Sequence, residues 1–563
     1  PPKPEPPKPE PPKPEPPKPE PPKPEPPKPE PPINDTPPDR SEPNDGDSGD
    51  QRVVSPSDKT ISDTQEPSSS DPGSSDPGTS DPGSSDPGSS DPGSSDPGSS
   101  EPGSPTASSQ SNSTTEEVSP ETDPVYLIEE AFTKEYESHF QRPFKAKINT
   151  QNDVRNRTRE LERETGLKTA VIYVSFVENS GTLPGTRCQA PSIPVSKIDR
   201  RFGYRLSEVP QAPERCLPQP NDQLELLVIT AEGNPIVRQI NGASRDQVLA
   251  VTNRFQRSLS NADSLDAKDH LNSGEQLYRW IIAPLQKELN ARKIQSLIFA
   301  MDEGLRSLPL AAIYDGQQYL VEKYGVNLVP SLSLTYSRHT DVRPFRVLAM
   351  GASKFPYQQP LPGVEVELTT ITEKLWKGRS FLNEAFTMDN LRAQREQQQY
   401  GIIHLATHAE FNPGTPNDSY IQMWNHKLRL YEMENLLYEP SVELLVLSAC
   451  RTALGNREAE LGFAGSAFQA GVDSTLATLW YVSDQGALGL TTEFYRQLKK
   501  TSSKSEALRQ AQLAMIQGNV RIENNQLYGS GKNISLPPEL SGPGKQSFSH
   551  PYYWAAFTLV GDP

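Results

Sequence analysis

The sequence predicts an α/β fold, a mostly parallel sheet with helices on both faces, behind a long disordered tail. Three observations carry that expectation. Apolar runs of strand length alternate with amphipathic stretches from Val125 to the C-terminus, the pattern of strands buried between helix layers. Two of these runs lead straight into reactive side chains, Gly401-Ile-Ile-His-Leu-Ala-Thr-His408 and Val442-Glu-Leu-Leu-Val-Leu-Ser-Ala-Cys450. The first 124 residues, by contrast, are repeats with almost no apolar surface.

The tail comes first. Residues 1–30 are six copies of Pro-Pro-Lys-Pro-Glu, and seven pentads of the Ser-Ser-Asp-Pro-Gly type fill Ser69 to Gly103. Neither repeat can offset the entropy of ordering the chain, so residues 1–124 are expected to be disordered. Proline at three positions in five favours polyproline II and makes the first 30 residues a semi-rigid spacer of about 90 Å, at roughly 3.1 Å per residue. The tail holds 26 acidic and 9 basic residues, whereas the rest of the chain holds 47 of each. The formal charge of −17 therefore belongs to the tail, where it serves solubility and spacing rather than a cationic partner. No basic stripe points to nucleic acid, and no run of 18 apolar residues marks a transmembrane segment. The chain begins with Pro rather than Met, so its start is expected to be processed or truncated, with the compartment, cytoplasmic or exported, left open.

Val125–Phe140 reads as an amphipathic helix, with Leu127, Ile128, Ala131 and Phe132 at helical spacing. Strands are expected at Thr169–Val177, Leu224–Thr230, Ser296–Met301 and Val326–Pro330. A polar connection near Thr340–Arg343 then divides the globular part into residues 125–340 and 341–563. Beyond it, strands are expected at Arg346–Gly351, Ile402–Thr407, Glu443–Ser448, Ser474–Tyr481 and Ala555–Val560, with helices at Val364–Leu375, Gly462–Ala470, Gln485–Leu498 and Ser505–Gln517. A Pro-rich insertion over residues 179–222 carries Cys188 and Cys216. In an oxidising compartment a bridge between them would contribute about 3–4 kcal/mol in the loop-entropy model, and in a reducing one both stay free. Arg200, Arg201 and Arg205 in the same insertion are exposed candidates for cleavage by a basic-specific protease.

The chemistry rests on His408 and Cys450. A thiol is a strong nucleophile only as thiolate, and a neighbouring imidazole holds it in that state. In an open α/β sheet the reactive crevice lies at the carboxyl ends of the strands, which is where both runs are expected to end. Cys450 passes directly into the polar turn Arg451-Thr-Ala-Leu-Gly455, which favours an active thiol over a buried structural one. His404 is expected to be a hydrogen-bonded histidine beneath the site. In a strand it lies about 13 Å from His408, too far to share a metal, and no cluster of Cys or His supplies further ligands. Neither metal nor cofactor is expected.

Five ordered blocks carry a closer likeness: His404-Leu-Ala-Thr-His-Ala-Glu410, Val446-Leu-Ser-Ala-Cys-Arg-Thr-Ala-Leu-Gly455, Gly462-Phe-Ala-Gly465, Thr478-Leu-Trp-Tyr-Val-Ser-Asp484 and His550-Pro-Tyr-Tyr-Trp-Ala-Ala-Phe557. Together they resemble a CHAT domain, a bacterial family of the caspase and separase clan, over roughly Leu167 to Val560. The resemblance implies a caspase-like sheet in two halves, a pseudo-caspase scaffold followed by a catalytic half. Leu297 to Ala312 matches the family's block in the first half, yet no Cys ends a strand there.

By the same resemblance His408 is the base, Cys450 the nucleophile, and the backbone N–H groups of Ala409 and Cys450 hold the oxyanion. The histidine precedes the cysteine by about 40 residues, the caspase order. The family usually has Gly where this chain has Ala409, and alanine supplies the same N–H unless the turn requires a positive φ. Asp484, in Trp480-Tyr-Val-Ser-Asp484, corresponds to a residue that lines the first specificity pocket of separase-like proteins, and its plainer reading is a helix N-cap. Glu410 is a second acidic candidate near the cleft. The expected function is that of a cysteine endopeptidase acting on a protein or peptide substrate after basic residues, under a regulatory partner the sequence does not identify. The alternatives are a catalytically inactive CHAT module serving as a docking scaffold, and a surface protein whose repeat tail is the working part.

Overall fold

The computed structural model describes residues 122–178, 218–264, 268–335, 338–437, 441–452, 456–465, 471–542 and 544–563. The expectations for residues 1–121, for the insertion with Cys188, Cys216 and its arginines, and for residues 466–470 lie outside them.

Helix α1 (Pro124–Phe140) begins where Asp123 accepts the N–H groups of Val125 and Tyr126, satisfying donors that the first helical turn leaves orphaned. Helix α2 (Gln151–Thr165) starts at a Thr150–Asp153 capping box and stops at Gly166. There follow β1 (Thr169–Val177), β2 (Gln223–Thr230), β3 (Ile236–Ser244), α3 (Arg245–Ser260), α4 (Asp269–Ile281), α5 (Gln286–Ala291), β4 (Ser296–Met301), α6 (Leu320–Lys323) and β5 (Gly325–Val329). The two-residue period of β1 explains why helices cover both faces. Val171 and Tyr173 pack with Ile128, Phe132, Val154 and Leu161 of α1 and α2. Ile172 and Val174 belong to the opposite core with Val248 and Phe255 of α3 and Leu277 and Ile281 of α4.

The second half contributes β6 (Val347–Gly351), α7 (Gly363–Thr369), β7 (Gly378–Leu382), α8 (Met388–Gln397), β8 (Ile402–Phe411), β9 (Tyr420–Gln422), β10 (Lys427–Arg429), α9 (Leu430–Leu437) and β11 (Leu444–Thr452). It continues with α10 (Arg457–Ala464), β12 (Ser474–Thr478), α11 (Asp484–Leu498) and α12 (Lys504–Ile516). Four short strands, β13 (Arg521–Glu523), β14 (Gln526–Tyr528), β15 (Ile534–Ser535) and β16 (Gln546–Ser547), form a separate sheet before α13 (Pro551–Trp554) and β17 (Phe557–Gly561) close the chain.

Among the described residues the main sheet has 13 strands, ordered β10-β9-β8-β11-β12-β17-β5-β4-β1-β2-β3, with β6 and β7 branching from β8. The pairs β1–β4, β4–β5, β5–β17, β11–β12, β8–β11, β6–β8 and β6–β7 are parallel, whereas β1–β2–β3, β8–β9–β10 and β12–β17 are antiparallel. The sheet is therefore mixed and largely parallel, and it runs through both halves without a break. The C-terminus is held at its base, where buried Asp562 meets Lys504 and His339 at 2.7 Å each and Arg157 at 2.9 Å.

Several elements escaped the sequence reading for physical reasons. α2 buries only Val154, Thr158 and Leu161, a narrow stripe in a charged helix, and β3 is a sheet edge with mostly exposed or half-exposed side chains. Two differences bear on the site. β8 does not stop at Thr407 nor β11 at Ser448, and they continue to Phe411 and Thr452, so His408 and Cys450 lie within the ladder rather than beyond its end. β12 ends at Thr478, three residues before the expected Tyr481. Among the described residues no helix is long and apolar enough to cross a membrane.

Candidate active site

Strands β8 and β11 run parallel and in simple register from Ile402–Leu444 to Leu405–Leu447. There the register shifts. β8 carries two residues, Ala406 and Thr407, where β11 carries one, Ser448, and pairing resumes at His408–Ala449 and Ala409–Cys450. This is a β-bulge, the device that bends a strand and re-aims its side chains. It falls where β8 changes partner, since β6 pairs with it only as far as Ala406 and β9 takes over at Ala409. Thr407 pins the bend by donating its hydroxyl to the Gln422 carbonyl at 2.5 Å. His408 and Cys450 thus sit one residue apart in register on neighbouring strands, whose axes are roughly 4.8 Å apart.

The His408 ring is 9% exposed, stacked against Tyr481 at 5.8 Å between centroids and tilted against Phe355 at 4.7 Å. Its Nε2 lies 2.8 Å from the Gln359 carbonyl oxygen. A carbonyl can only accept, so Nε2 carries the proton and Nδ1 keeps its lone pair. Burial lowers the imidazole pKa below its usual 6.5, partly opposed by the Gln359 carbonyl and by Glu410. The ring is therefore a neutral base at neutral pH. Sequence reasoning missed Gln359 because a backbone acceptor leaves no trace in residue type.

A cavity of about 770 Å³ opens beside this ring, lined by the loop from Pro356 to Pro360 together with His408, Ala409, Glu410 and Tyr481. Glu410 is the charged side chain of that wall. A larger cleft of about 1010 Å³ lies between α3 and α4, but no histidine or cysteine lines it and it is remote in the fold from β8 and β11. Among the described residues no three His, Cys, Asp or Glu side chains are grouped to hold a metal.

Asp484 is not the N-cap of α11. That position belongs to Ser483, whose hydroxyl accepts the Gly486 N–H at 3.2 Å. Asp484 is the first helical residue, and its carboxylate accepts the N–H of Gly363 at the start of α7. A Cβ on Gly363 would lie 2.7–2.8 Å from the carboxylate atoms, so only glycine allows this approach. Burial pushes the Asp484 carboxyl up to about 7, opposed by the Gly363 N–H and reinforced by Glu367. The residue stands beside Tyr481 rather than on the cavity wall itself.

His404 is fully buried beneath the site. Its Nδ1 meets the Tyr495 hydroxyl at 3.3 Å, and its Nε2 approaches Glu367 to 3.2 Å without hydrogen-bond alignment. The other Glu367 oxygen accepts from Ser448 at 3.4 Å. Ala409 has strand conformation between Ile421 and Cys450, so the left-handed conformation that would favour glycine is not in use there.

The fold is thus α/β, built on a mixed, largely parallel sheet. The CHAT domain pattern matches residues 271–562, and the chain belongs to the CHAT domain family. Similar solved structures include the separase–securin complex of Saccharomyces cerevisiae, with 9% identity and a TM-score of 0.38 over 73% of this chain and 31% of that one. The Arg-specific cysteine proteinase gingipain R is similar with 8% identity and a TM-score of 0.32, over 56% of this chain and 74% of that one. A complex of the pro- and mature domains of RgpB from Porphyromonas gingivalis matches with 8% identity and a TM-score of 0.30, over 57% and 77%. This chain spans about a third of the separase chain. No curated protein sequence matches it.

Proposed function

We propose that this CHAT protein is a cysteine endopeptidase that uses His408 and Cys450 as its dyad and prefers a basic residue before the scissile bond. The observation that carries the reading is His408 itself, neutral, oriented by Gln359, and one residue in register from Cys450 at the wall of a cavity. Nδ1 accepts the Cys450 proton, and the thiolate attacks the peptide carbonyl carbon. Backbone N–H groups of Cys450 and Ala409 are the candidate donors to the oxyanion. Collapse of the tetrahedral species expels the amine, which takes the proton from the imidazolium and leaves a thioester. Water, deprotonated by His408, then hydrolyses the thioester and restores the thiol. The N-terminal half acts as scaffold.

The preference for Arg or Lys is supported by Glu410 on the cavity wall and by Asp484 beside Tyr481. A carboxyl poised near 7 ionises readily when a guanidinium or ammonium group comes close. Cleavage profiling on a peptide library tests the reading, with the wild-type full chain beside Cys450→Ala and His408→Ala. Both substitutions should abolish cleavage, and the wild-type products should end in Arg or Lys. Wild-type turnover by Cys450→Ala would refute the mechanism, and no cleavage by any form would leave the docking-scaffold reading in its place.

A further inference from the structure

The block from Leu297 to Ala312 contains no cysteine, yet it reaches across to the helix that follows Cys450. Glu460, on α10, is completely buried. One of its carboxylate oxygens accepts the Gly304 N–H at 2.9 Å, and the other accepts the Ser307 hydroxyl. Ser307 is itself fixed, because Gln256 of α3 donates to its Oγ at 2.9 Å and to its carbonyl at 3.0 Å. Gly304 adopts φ +84°, and a Cβ there would lie 2.6 Å from the Leu249 side chain. Between the two, buried Arg306 bonds to the Met301 carbonyl and pairs with Glu135 of α1.

The same helix also packs against the reactive strands. The Phe463 ring stands edge-on to that of Phe411 at 5.6 Å, and Gly462 packs beside the same ring and Ser419. Phe411 pairs with Thr452, three residues past His408 and two past Cys450. A buried carboxylate is a poor way merely to hold a helix, since an apolar side chain of similar volume gives equal or better stability. What two directed hydrogen bonds add is a defined position.

We propose that Glu460 is a positioning residue: its contacts with Gly304 and Ser307 seat α10 against Phe411, so that the N-terminal half holds the tips of β8 and β11 in the register that brings His408 to Cys450. The inference deepens the peptidase reading and rests on it.

The test measures alkylation of Cys450 by iodoacetamide, located by peptide mapping, in the full chain and in Ser307→Ala, Glu460→Gln, their double variant and His408→Ala. Library kinetics and melting temperature accompany each protein. Ser307→Ala and Glu460→Gln should each slow Cys450 alkylation by about tenfold per folded molecule. They should lower kcat by a similar factor with KM within about twofold, and the double variant should be no slower than the slower single one, as expected of one unit. Folded variants that react at the wild-type rate would overturn the proposal, as would a slowing fully accounted for by unfolded protein. If Glu460→Gln does not fold, Ser307→Ala decides alone, because it removes one hydroxyl and leaves the Gly304 contact. The His408→Ala protein separates the two ideas. Wild-type alkylation there sinks the dyad, whereas the positioning role stands or falls on Ser307→Ala.

Discussion

His408 was legible as the candidate base from its place after an apolar run, whereas the carbonyl that orients its ring, 49 residues earlier, was not. Burial lowers its pKa, with direct consequences for acid conditions. The folded protein binds fewer protons than the unfolded chain near pH 6.5, so stability from this residue is full above that value and declines as pH falls through it. Catalysis by a neutral base follows the folded-state pKa. On substrates with an uncharged residue before the scissile bond, the acid limb of kcat/KM should therefore lie below pH 6.5, and a limb centred at or above that value there would contradict the assignment. Asp484 was legible as an acid near the cleft, while its partner Gly363 was not, because their contact depends on how two helix starts pack. Asp484→Asn should reduce cleavage after Arg or Lys by roughly ten- to a hundred-fold, with much smaller changes elsewhere. Since the wild-type carboxyl titrates near 7, the preference for basic residues should grow as pH rises through 7 and lose that dependence in the variant. An unchanged preference would leave Asp484 as a tie between α7 and α11.

At the scale of elements, the apolar pattern located β8 and β11 and failed at their ends. The runs stop being apolar where the site begins, yet the ladder continues through Ala409–Phe411 and Cys450–Thr452. Hydrophobic periodicity reports burial by side chains and is silent about backbone pairing between polar residues. The bulge was invisible for the same reason. Thr407→Val keeps the shape of the side chain and removes the donor to Gln422. It should cost about 1 kcal/mol in denaturant unfolding, together with a several-fold loss of kcat as His408 loses its aim. Unchanged kcat in a destabilised protein would show that the bend is structural only.

For the whole molecule, the fold class was readable because strands buried on both faces leave long apolar runs between helices. The strand order was not readable. The last strand, β17, lies between β12 and β5 and joins the two halves, an arrangement fixed by packing between segments more than 200 residues apart. The family blocks in both halves mark this shared framework, and the repeats at the start of the chain lie outside it. Because those repeats cannot build a core, deleting residues 1–121 should shift the melting temperature by no more than a degree or two, and a fall of many degrees would show that they pack on the folded part.

The central claim is that Cys450 is a nucleophile made reactive by His408. The most direct measurement is covalent capture by a peptidyl acyloxymethyl ketone ending in Arg, read by intact mass and mapped to the residue. The account predicts one adduct, on Cys450, formed by the wild-type chain and lost in His408→Ala. No adduct on Cys450, or equal labelling with and without His408, would contradict it.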